Sequence, residues 1–192
     1  MSSPAVSIVV PIYNEFDNLT ALVDRIDAAM RAQPLSYELI AVDDGSKDES
    51  AKLLLELAST RPWLRPVILA RNYGQSSALQ AGFDRVQGKY VVTLDADLQN
   101  EPDDIPLLLN RLETDASVDM VSGWRKDRQD AAISRKLPSK IANRLISNAT
   151  GVQLHDYGCA LKAYRRHIID RIHLYGELHR FIPSLARDAG AR

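Results

Sequence analysis

Residues 90–99 read YVVTLDADLQ, an apolar run that ends in two aspartates placed two positions apart. The part from Tyr90 to Leu94 has the length and the β-branched content of a buried strand. If the extended conformation continues beyond it, the side chains of Asp95 and Asp97 emerge on the same face. Ligands of open α/β sheets bind at the carboxyl ends of the strands, so this segment is expected to lie in a functional site.

The chain on both sides repeats one unit, a short apolar strand followed by a polar cluster and a helical pattern. Strands are predicted over 6–10, 39–42, 67–69, 90–94 and 120–122, and helices over about 19–30, 48–60, 78–86 and 103–113. This alternation predicts βαβ units with right-handed crossovers. The expected fold class is therefore α/β, a Rossmann-like, mostly parallel sheet with helices on both faces.

Length and composition limit the classes of protein to which this chain can belong. The 192 residues fit a single domain over 1–192, and 24 basic against 25 acidic residues give a net charge of −1. Without an overall positive field, no nucleic-acid partner is expected. Cys159 is the single cysteine, which excludes an internal disulfide framework and fits a reducing compartment. His167, His173 and His179 share no helix face, so they are assigned no metal.

Neither end of the sequence carries a recognisable targeting signal. The first residues lack the basic start and apolar stretch of a secretory signal. No apolar run approaches the ~18 residues of a membrane span, so a cytoplasmic, soluble chain is expected. A further strand is predicted over 159–164. The sequence stops at Arg192 without an evident terminating element, so we expect it to be truncated.

Asp95 and Asp97 have the chemistry of a metal site. Two carboxylates on one face bind a hard divalent cation, Mg²⁺ or Mn²⁺, that keeps positions open for phosphate oxygens. Gln99, one alternation further, could add a neutral oxygen. A solvated acidic turn is the alternative. A calcium loop would need Gly at Asn100 and Glu at Pro106. A phosphatase of the haloacid dehalogenase type would place its motif on the first strand.

Two other polar clusters follow strands. Asp43 and Asp44 end the second strand and can accept hydrogen bonds from a base or a ribose, although an N-capping turn would also explain them. Residues 74–78, GQSSA, are loosely similar to the serine elbow of α/β-hydrolases. Three polar residues separate Ser76 from the strand end, so a helix N-terminus is the better interpretation. No phosphate-binding P-loop and no G-x-G-x-x-G motif occurs.

Together these segments resemble the family 2 glycosyltransferases with the GT-A fold, and among them the polyprenyl-phosphate (dolichol- or undecaprenyl-phosphate) sugar transferases. The matching segments are VPIYNE at 10–15, VDDGS at 42–46, DADLQ at 95–99, GWR at 123–125, DYGC at 156–159 and FIP at 181–183. The likeness covers nearly the whole chain. It implies a single GT-A catalytic domain over 1–192, which in such enzymes continues into interfacial and often transmembrane helices.

The resemblance also implies a role for each matching position. The nucleotide-sugar pocket would be lined by Pro11, Tyr13, Glu15, Val42, Asp43, Asp44, Asp95, Ala96, Asp97 and Arg125. A Mg²⁺ or Mn²⁺ ion that bridges the donor diphosphate would be held by Asp95, Asp97 and Gln99. Arg125 would reach the same diphosphate.

For the acceptor, the resemblance implies contacts from Arg135 and Ser139 to a lipid phosphate. Lys136, Lys140 and Arg144 recur every four residues on a predicted helix, and this cationic stripe suits the same phosphate at a membrane surface. A solvated helix face is the alternative explanation of the stripe. The full-length protein would act at the cytoplasmic face of the membrane, and a homo-oligomer is compatible with this picture.

The implied reaction is the inverting transfer of a sugar from a UDP- or GDP-sugar to a polyprenyl phosphate. Charge develops on the leaving diphosphate, and the metal and Arg125 would neutralise it. The catalytic residues would be Asp97, in the metal site, and Asp156, as a base or a group that orients the acceptor. Two alternatives stay open, namely a saccharide or protein hydroxyl as acceptor, and a nucleotide-sugar-binding module without turnover.

Overall fold

The structure is a computed structural model that describes residues 3–124 and 156–192. The described strands are β1 (Val6–Ile12), β2 (Tyr37–Asp43), β3 (Leu64–Ile68), β4 (Tyr90–Thr93), β5 (Met120–Ser122) and β6 (Lys162–Arg165). They form one sheet in the order β3-β2-β1-β4-β6-β5. Strands β1 to β4 run parallel, whereas β6 lies antiparallel between β4 and β5. The expected mostly parallel sheet is confirmed.

The helices of the described residues are α1 (Phe16–Arg31), α2 (Ser50–Thr60), α3 (Gln75–Phe83), α4 (Ile105–Thr114), α5 (Arg166–Ile169) and α6 (Ile182–Asp188). Two short 3₁₀ helices cover Pro102–Asp104 and Leu178–Phe181. The boundaries differ from the prediction at β3, which begins at Leu64 and includes Pro66. Strand β3 lies at an edge of the described sheet, where a missing backbone N–H is tolerated.

Side chains alternate between two cores along the central strand. Val6, Ile8 and Val10 of β1 pack against α1, α2 and α4 on one face of the sheet. Val9, which points to the other face, packs against α3, α5 and α6. The expected helices on both faces are therefore confirmed. Within the described residues, no helix combines the length and the apolar character that crossing a bilayer requires.

A buried polar network closes the amino-terminal edge of the sheet. The Ser7 hydroxyl donates to Glu38 Oε1 over 2.6 Å and accepts the backbone N–H of Gly88 over 2.8 Å. Glu38 also accepts the backbone N–H of Gln87 and forms an ion pair with Arg65. A Cβ on Gly88 would lie 2.5 Å from the backbone nitrogen of Ser7, so this close approach requires glycine. The opposite, carboxyl edge carries the candidate site.

Candidate active site

The carboxyl ends of β1, β2 and β4 open onto a cavity of about 290 Å³, which we call the rim pocket. Seven residues that the sequence analysis assigned to the nucleotide-sugar pocket line it: Pro11, Tyr13, Glu15, Asp44, Asp95, Ala96 and Asp97. The strand order reverses between β1 and β4, and ligands of open α/β sheets bind at such a switch point. The topology therefore brings three separate sequence motifs to one place.

The loop after β1 is fixed to the loop after β2. Asn14 has a φ of 57°, a left-handed conformation that Asn tolerates better than most residues. Its backbone N–H donates to Ser46 Oγ over 2.9 Å, and its side-chain oxygen accepts the backbone N–H of Lys47 over 2.8 Å. These two bonds hold Tyr13 at the edge of the rim pocket, where 39% of the residue is exposed.

Asp44 fixes a third loop, the one that leads into α3. Its Oδ1 accepts the backbone N–H of Tyr73 and its Oδ2 accepts that of Gly74, both over 2.8 Å. The loop approaches so closely that a Cβ on Gly45 would lie 2.3 Å from the carbonyl carbon of Arg71. The buried Asp44 carboxylate thus shapes the wall of the rim pocket through the backbone.

The two carboxylates after β4 reach the rim pocket by a turn. The condition of a continued extended strand is not met, because β4 ends at Thr93 and Leu98 has a φ of 57°. Asp97 Oδ1 accepts the backbone N–H of Gln99 over 3.0 Å, which closes the turn locally. Asp95 Oδ1 accepts the side-chain amide of Gln75, at the start of α3, over 2.7 Å. Both side chains line the pocket despite the broken alternation.

A second cavity of about 380 Å³ adjoins the rim pocket, and Gln75 and Asp95 line both. Its other walls come from the ends of β4 and β6, from residues 157–160 and from the 3₁₀ helix Leu178–Phe181. Lys162, His179 and Arg180 lie on this lining. The second cavity therefore carries positive charge beside one of the two carboxylates.

His179 is held by Ser76, a buried residue of the first turn of α3. The Ser76 Oγ lies 3.0 Å from His179 Nδ1, and it accepts the backbone N–H of His179 over 3.1 Å. Burial lowers the pKa of His179, and the charges of Arg180 and Lys162 act in the same direction.

A serine and a histidine in contact could suggest a hydrolase, but the geometry argues against it. Ser76 is 1% exposed and lies on neither cavity lining. Its hydroxyl is engaged twice by the same residue, His179. The interpretation of residues 74–78 as a helix N-terminus agrees with α3, which begins at Gln75.

Comparison with known proteins decides the family. The model of "Glycosyl transferase family 2" matches residues 7–172. The chain belongs to this family. The match covers most of the described strands and both cavities apart from the 3₁₀ helix Leu178–Phe181 and Ile182. The membership that the sequence motifs predicted is confirmed.

Two curated relatives of this glycosyltransferase are similar over nearly its whole length. A dodecaprenyl-phosphate galacturonate synthase from Rhizobium johnstonii is 47% identical over 191 residues, which cover 96% of this chain and 54% of the relative. An undecaprenyl-phosphate 4-deoxy-4-formamido-L-arabinose transferase from Klebsiella pneumoniae is 48% identical over 188 residues, 97% of this chain and 57% of the relative. The chain spans about half the length of the curated relatives it matches.

Solved structures share the fold of this glycosyltransferase at low sequence identity. A mannosyltransferase from Pyrobaculum calidifontis in complex with GDP-Man and Mn²⁺ has a TM-score of 0.63 at 22% identity, covering 92% of this chain and 48% of its own. Glucosyl-3-phosphoglycerate synthase from Mycobacterium tuberculosis in complex with UDP has a TM-score of 0.67 at 21% identity, covering 88% and 59%. The predicted GT-A fold is confirmed.

Some positions assigned from the sequence lie away from the rim pocket of this glycosyltransferase. Val42 is buried in the core on the α3 side. Asp43 is also buried, and its Oδ1 accepts the backbone N–H of Ser46 over 3.0 Å. Gln99 is exposed and is not on the pocket lining. Asp156 accepts the backbone N–H of Gly158 over 3.1 Å and precedes the residues that line the second cavity. The roles of these positions stay predictions.

The remaining assigned residues fall in the part of the chain that the structure does not describe. They are Arg125, Arg135 and Ser139, together with the stripe of Lys136, Lys140 and Arg144. Their roles stay predictions from the resemblance.

The side-chain oxygens in the rim pocket fit a divalent cation whose remaining coordination positions are filled by a bound ligand. Asp95 and Asp97 supply carboxylate oxygens, which Mg²⁺ and Mn²⁺ prefer. Among the described residues, no group of three or more His, Cys, Asp or Glu side chains could hold a metal by itself. Two carboxylates that leave positions for phosphate oxygens match the way Mg²⁺ is usually bound with phosphates.

Sequence analysis missed one residue that joins the two cavities, Gln75, and the charged residues of the second cavity. Gln75 orients Asp95 from another element, and Lys162, His179 and Arg180 form the charged wall of the second cavity. Gln75 follows Gly74 at a predicted helix start, so the sequence contains a local signal for its position. The histidine has no such signal, because its partner Ser76 lies 103 residues away in the sequence.

Proposed function

We propose that this protein transfers a sugar from a nucleotide-sugar donor to a polyprenyl phosphate, with inversion at the anomeric carbon. The observation that carries the proposal is the meeting of Asp95 and Asp97 with Tyr13 and Glu15 in the rim pocket. The names of the two relatives, which give dodecaprenyl and undecaprenyl phosphates, support the acceptor class. They give different sugars, so they leave the donor sugar open.

In this proposal the nucleotide lies in the rim pocket. Tyr13 offers an aromatic edge, Pro11 and Ala96 offer apolar surface, and Glu15 accepts hydrogen bonds. Asp44 keeps the loop before α3 in place, and Val42 and Asp43 support the same wall from inside the protein. The pocket is preorganised by hydrogen bonds between loops, which lowers the entropy cost of binding.

The donor diphosphate would lie at Asp95 and Asp97, with Gln99 beside them. A bound Mg²⁺ or Mn²⁺ would be held by these residues and would neutralise the charge that develops on the leaving diphosphate. Structures that share the fold contain Mn²⁺, which supports this choice of ion. Gln75 holds Asp95 so that its second oxygen keeps a fixed direction. Arg125 would add positive charge on the same side.

The acceptor is proposed to approach from the side of Asp156. A phosphate acceptor is already an anion near neutral pH, so Asp156 has to orient it more than to remove a proton. Arg135 and Ser139 would bind that phosphate, and the cationic stripe would face an anionic membrane surface. The protein would then work as one catalytic domain over 1–192 at the cytoplasmic face of the membrane, alone or as a homo-oligomer.

The test compares acceptors with the same donor and metal. Nucleotide release and sugar transfer are measured with UDP- and GDP-sugars and Mn²⁺, using undecaprenyl phosphate in detergent against free saccharides and a peptide. Transfer to the polyprenyl phosphate alone is expected. Transfer to a hydroxyl acceptor, or donor binding without nucleotide release under any acceptor, would overturn the proposal.

A single substitution tests the metal assignment separately. Asp97→Asn removes one carboxylate charge and is expected to abolish the Mn²⁺ dependence of donor binding. Asp104→Asn, an exposed aspartate that lies on neither cavity, is the matched control. If Asp97→Asn and the control bind donor with the same Mn²⁺ dependence, the metal is held elsewhere.

A further inference from the structure

A buried contact joins the loop that carries the two carboxylates to the segment that begins at Asp156. Asn100 directly follows the loop 95–99 and is 4% exposed, and Cys159 is 2% exposed. The Cys159 thiol donates to Asn100 Oδ1 over 3.2 Å, although the two residues are 59 positions apart in the sequence. Asn100 lies on neither cavity lining, so contact with a ligand does not explain its burial.

The segment 156–160 has a defined shape at both of its ends. The backbone carbonyl of Asp156 accepts the N–H of Cys159 over 3.4 Å, which closes a turn. The carbonyl of Ala160 accepts the hydroxyl of Thr93 over 2.9 Å, which ties the segment to the end of β4. Because Cys159 lies between these two bonds, its position constrains that of Asp156.

The same thiol packs against a third segment, GWR at 123–125. The backbone N–H of Gly123 donates to the carbonyl of Leu161 over 2.9 Å. A Cβ on Gly123 would lie 3.0 Å from Cys159 Sγ and 3.0 Å from that carbonyl oxygen, which is closer than ordinary van der Waals contact. The close approach therefore uses the missing side chain of glycine. One buried thiol thus contacts the segments that follow β4 and β5.

We propose that Asn100 is a positioning residue for the transfer reaction, which holds the segment 156–160 at a fixed distance from the loop 95–99 through Cys159. The inference rests on the proposed function, in which the loop 95–99 holds the metal and the donor diphosphate and Asp156 orients the acceptor. The contact between Asn100 and Cys159 sets the distance between the two substrates and touches neither of them.

Donor binding does not need this contact, whereas transfer does. The Asp95 carboxylate is held by the side chain of Gln75. The Asp97 carboxylate is held by the backbone N–H of Gln99. Neither bond involves Asn100, so the affinity for the donor should survive its substitution. The rate of transfer should fall, because a misplacement of about 1 Å can cost on the order of 100-fold.

The first experiment separates turnover from donor binding. Asn100→Leu roughly keeps the volume of the side chain and removes the acceptor oxygen. The kcat for transfer to undecaprenyl phosphate should fall about tenfold, whereas the donor Kd with Mn²⁺ should change less than about twofold. An unchanged kcat, or a loss confined to donor affinity, contradicts the inference.

Two control variants accompany this measurement. Asn110→Leu makes the same substitution at an exposed position of α4 that lies on neither cavity lining. Leu57→Ala opens the core beneath α2 and controls for a loss of stability. Both variants should keep the kcat of the unmodified protein at a temperature where they are folded. A tenfold loss in Leu57→Ala as well would assign the effect of Asn100→Leu to stability and overturn the inference.

The second experiment asks whether the thiol acts as a hydrogen-bond donor or only fills space. Cys159→Ser keeps a donor and should retain kcat within about threefold, whereas Cys159→Ala removes it and should lose about tenfold. If the thiol only fills space, the buried hydroxyl makes serine the worse replacement. In the Asn100→Leu background, the advantage of serine should disappear. Alanine equal to or better than serine in the unmodified background overturns the inference.

A third measurement does not depend on the acceptor. Backbone hydrogen exchange of the segment 156–160 is followed with and without UDP or GDP and Mn²⁺, ligands that lack a sugar. They should slow exchange there about threefold or more, and Asn100→Leu should remove this effect while the loop 95–99 stays protected. Equal slowing in both proteins contradicts the inference. Failure of the unmodified protein to transfer sugar would overturn the proposed function, and the exchange result would still decide whether Asn100 couples the two segments.

Discussion

At the level of single residues, the two carboxylates of the rim pocket are held in different ways. Asp97 is fixed by its own turn, through the backbone N–H of Gln99. Asp95 depends on Gln75, which belongs to another helix. A change at Asp97 therefore removes a proposed metal ligand without disturbing α3, whereas a change at Gln75 can alter the direction of Asp95. Gln75 is a positioning residue in this sense.

Replacing Gln75 by Ala is expected to weaken Mn²⁺-dependent donor binding about fivefold. The lost hydrogen bond to Asp95 contributes on the order of 1 kcal/mol, which corresponds to that change in Kd. Calorimetry with and without Mn²⁺ measures it, with Gln33→Ala as a control away from both cavities. The prediction is wrong if donor affinity falls equally in the presence and absence of the metal, because that would indicate a direct contact with the donor.

His179 gives the protein a pH-dependent contribution to stability. Its pKa in the folded state lies below the ordinary value of 6.5, chiefly because of burial. The unfolded chain therefore takes up a proton there first, so this contribution is present above pH 6.5 and is lost as the pH falls below it. Urea unfolding at about pH 7.5 and about pH 5.5 should show a smaller loss for His179→Gln than for the unmodified protein. His173→Gln should keep the full loss.

At the level of elements, local patterns predict most of the fold. The helix face with Leu19, Leu22 and Ile26 is buried as its spacing predicts, and the strand-to-polar-cluster alternation places the three motifs on one edge. The turn at Leu98 could not be read from alternation, which assumes an extended chain. The antiparallel insertion of β6 between β4 and β5 depends on pairing across long sequence separations, for which local periodicity carries no information.

The contact between the loop after β2 and the loop before α3 depends on Asp44. Asp44→Asn replaces one acceptor oxygen by an amide that faces a backbone N–H, so a part-buried donor loses its partner. The free energy of unfolding should fall by about 1–3 kcal/mol. Chemical denaturation measures this, and Asp24→Asn on the exposed face of α1 should change it by less than about 0.5 kcal/mol. Equal stabilities of the two variants would show that the loop before α3 holds without the carboxylate.

At the level of the whole molecule, the amino and carboxyl edges of the sheet differ: one is closed by a polar network and the other carries the cavities. The Glu38 network ties the amino ends of β1 to β3 and the turn before β4. The carboxyl ends carry two cavities that meet at Asp95. The second cavity is the part that sequence reading misses, since its walls come from segments that are distant in the chain. The charged wall becomes visible only when β6 and the 3₁₀ helix Leu178–Phe181 are placed beside β4.

In the proposed function, metal and donor depend on each other for binding. Among the described residues the protein offers only a two-carboxylate donor set in the rim pocket, so Mn²⁺ alone should raise the melting temperature little. A donor at a hundred times its Kd with saturating Mn²⁺ should stabilise the protein by about 2.7 kcal/mol, roughly 5–10 °C in Tm for a chain of this size.

Differential scanning fluorimetry measures the four combinations of donor and Mn²⁺. The joint shift should exceed the sum of the single shifts, EDTA should remove the excess, and Asp97→Asn should show no excess at all. Asp104→Asn should behave like the unmodified protein, since its side chain is exposed and lies on neither cavity. If Mn²⁺ alone produced the full shift in melting temperature, the protein would complete a metal site without the diphosphate. The proposal that the protein and the diphosphate share one ion in the rim pocket would then be wrong.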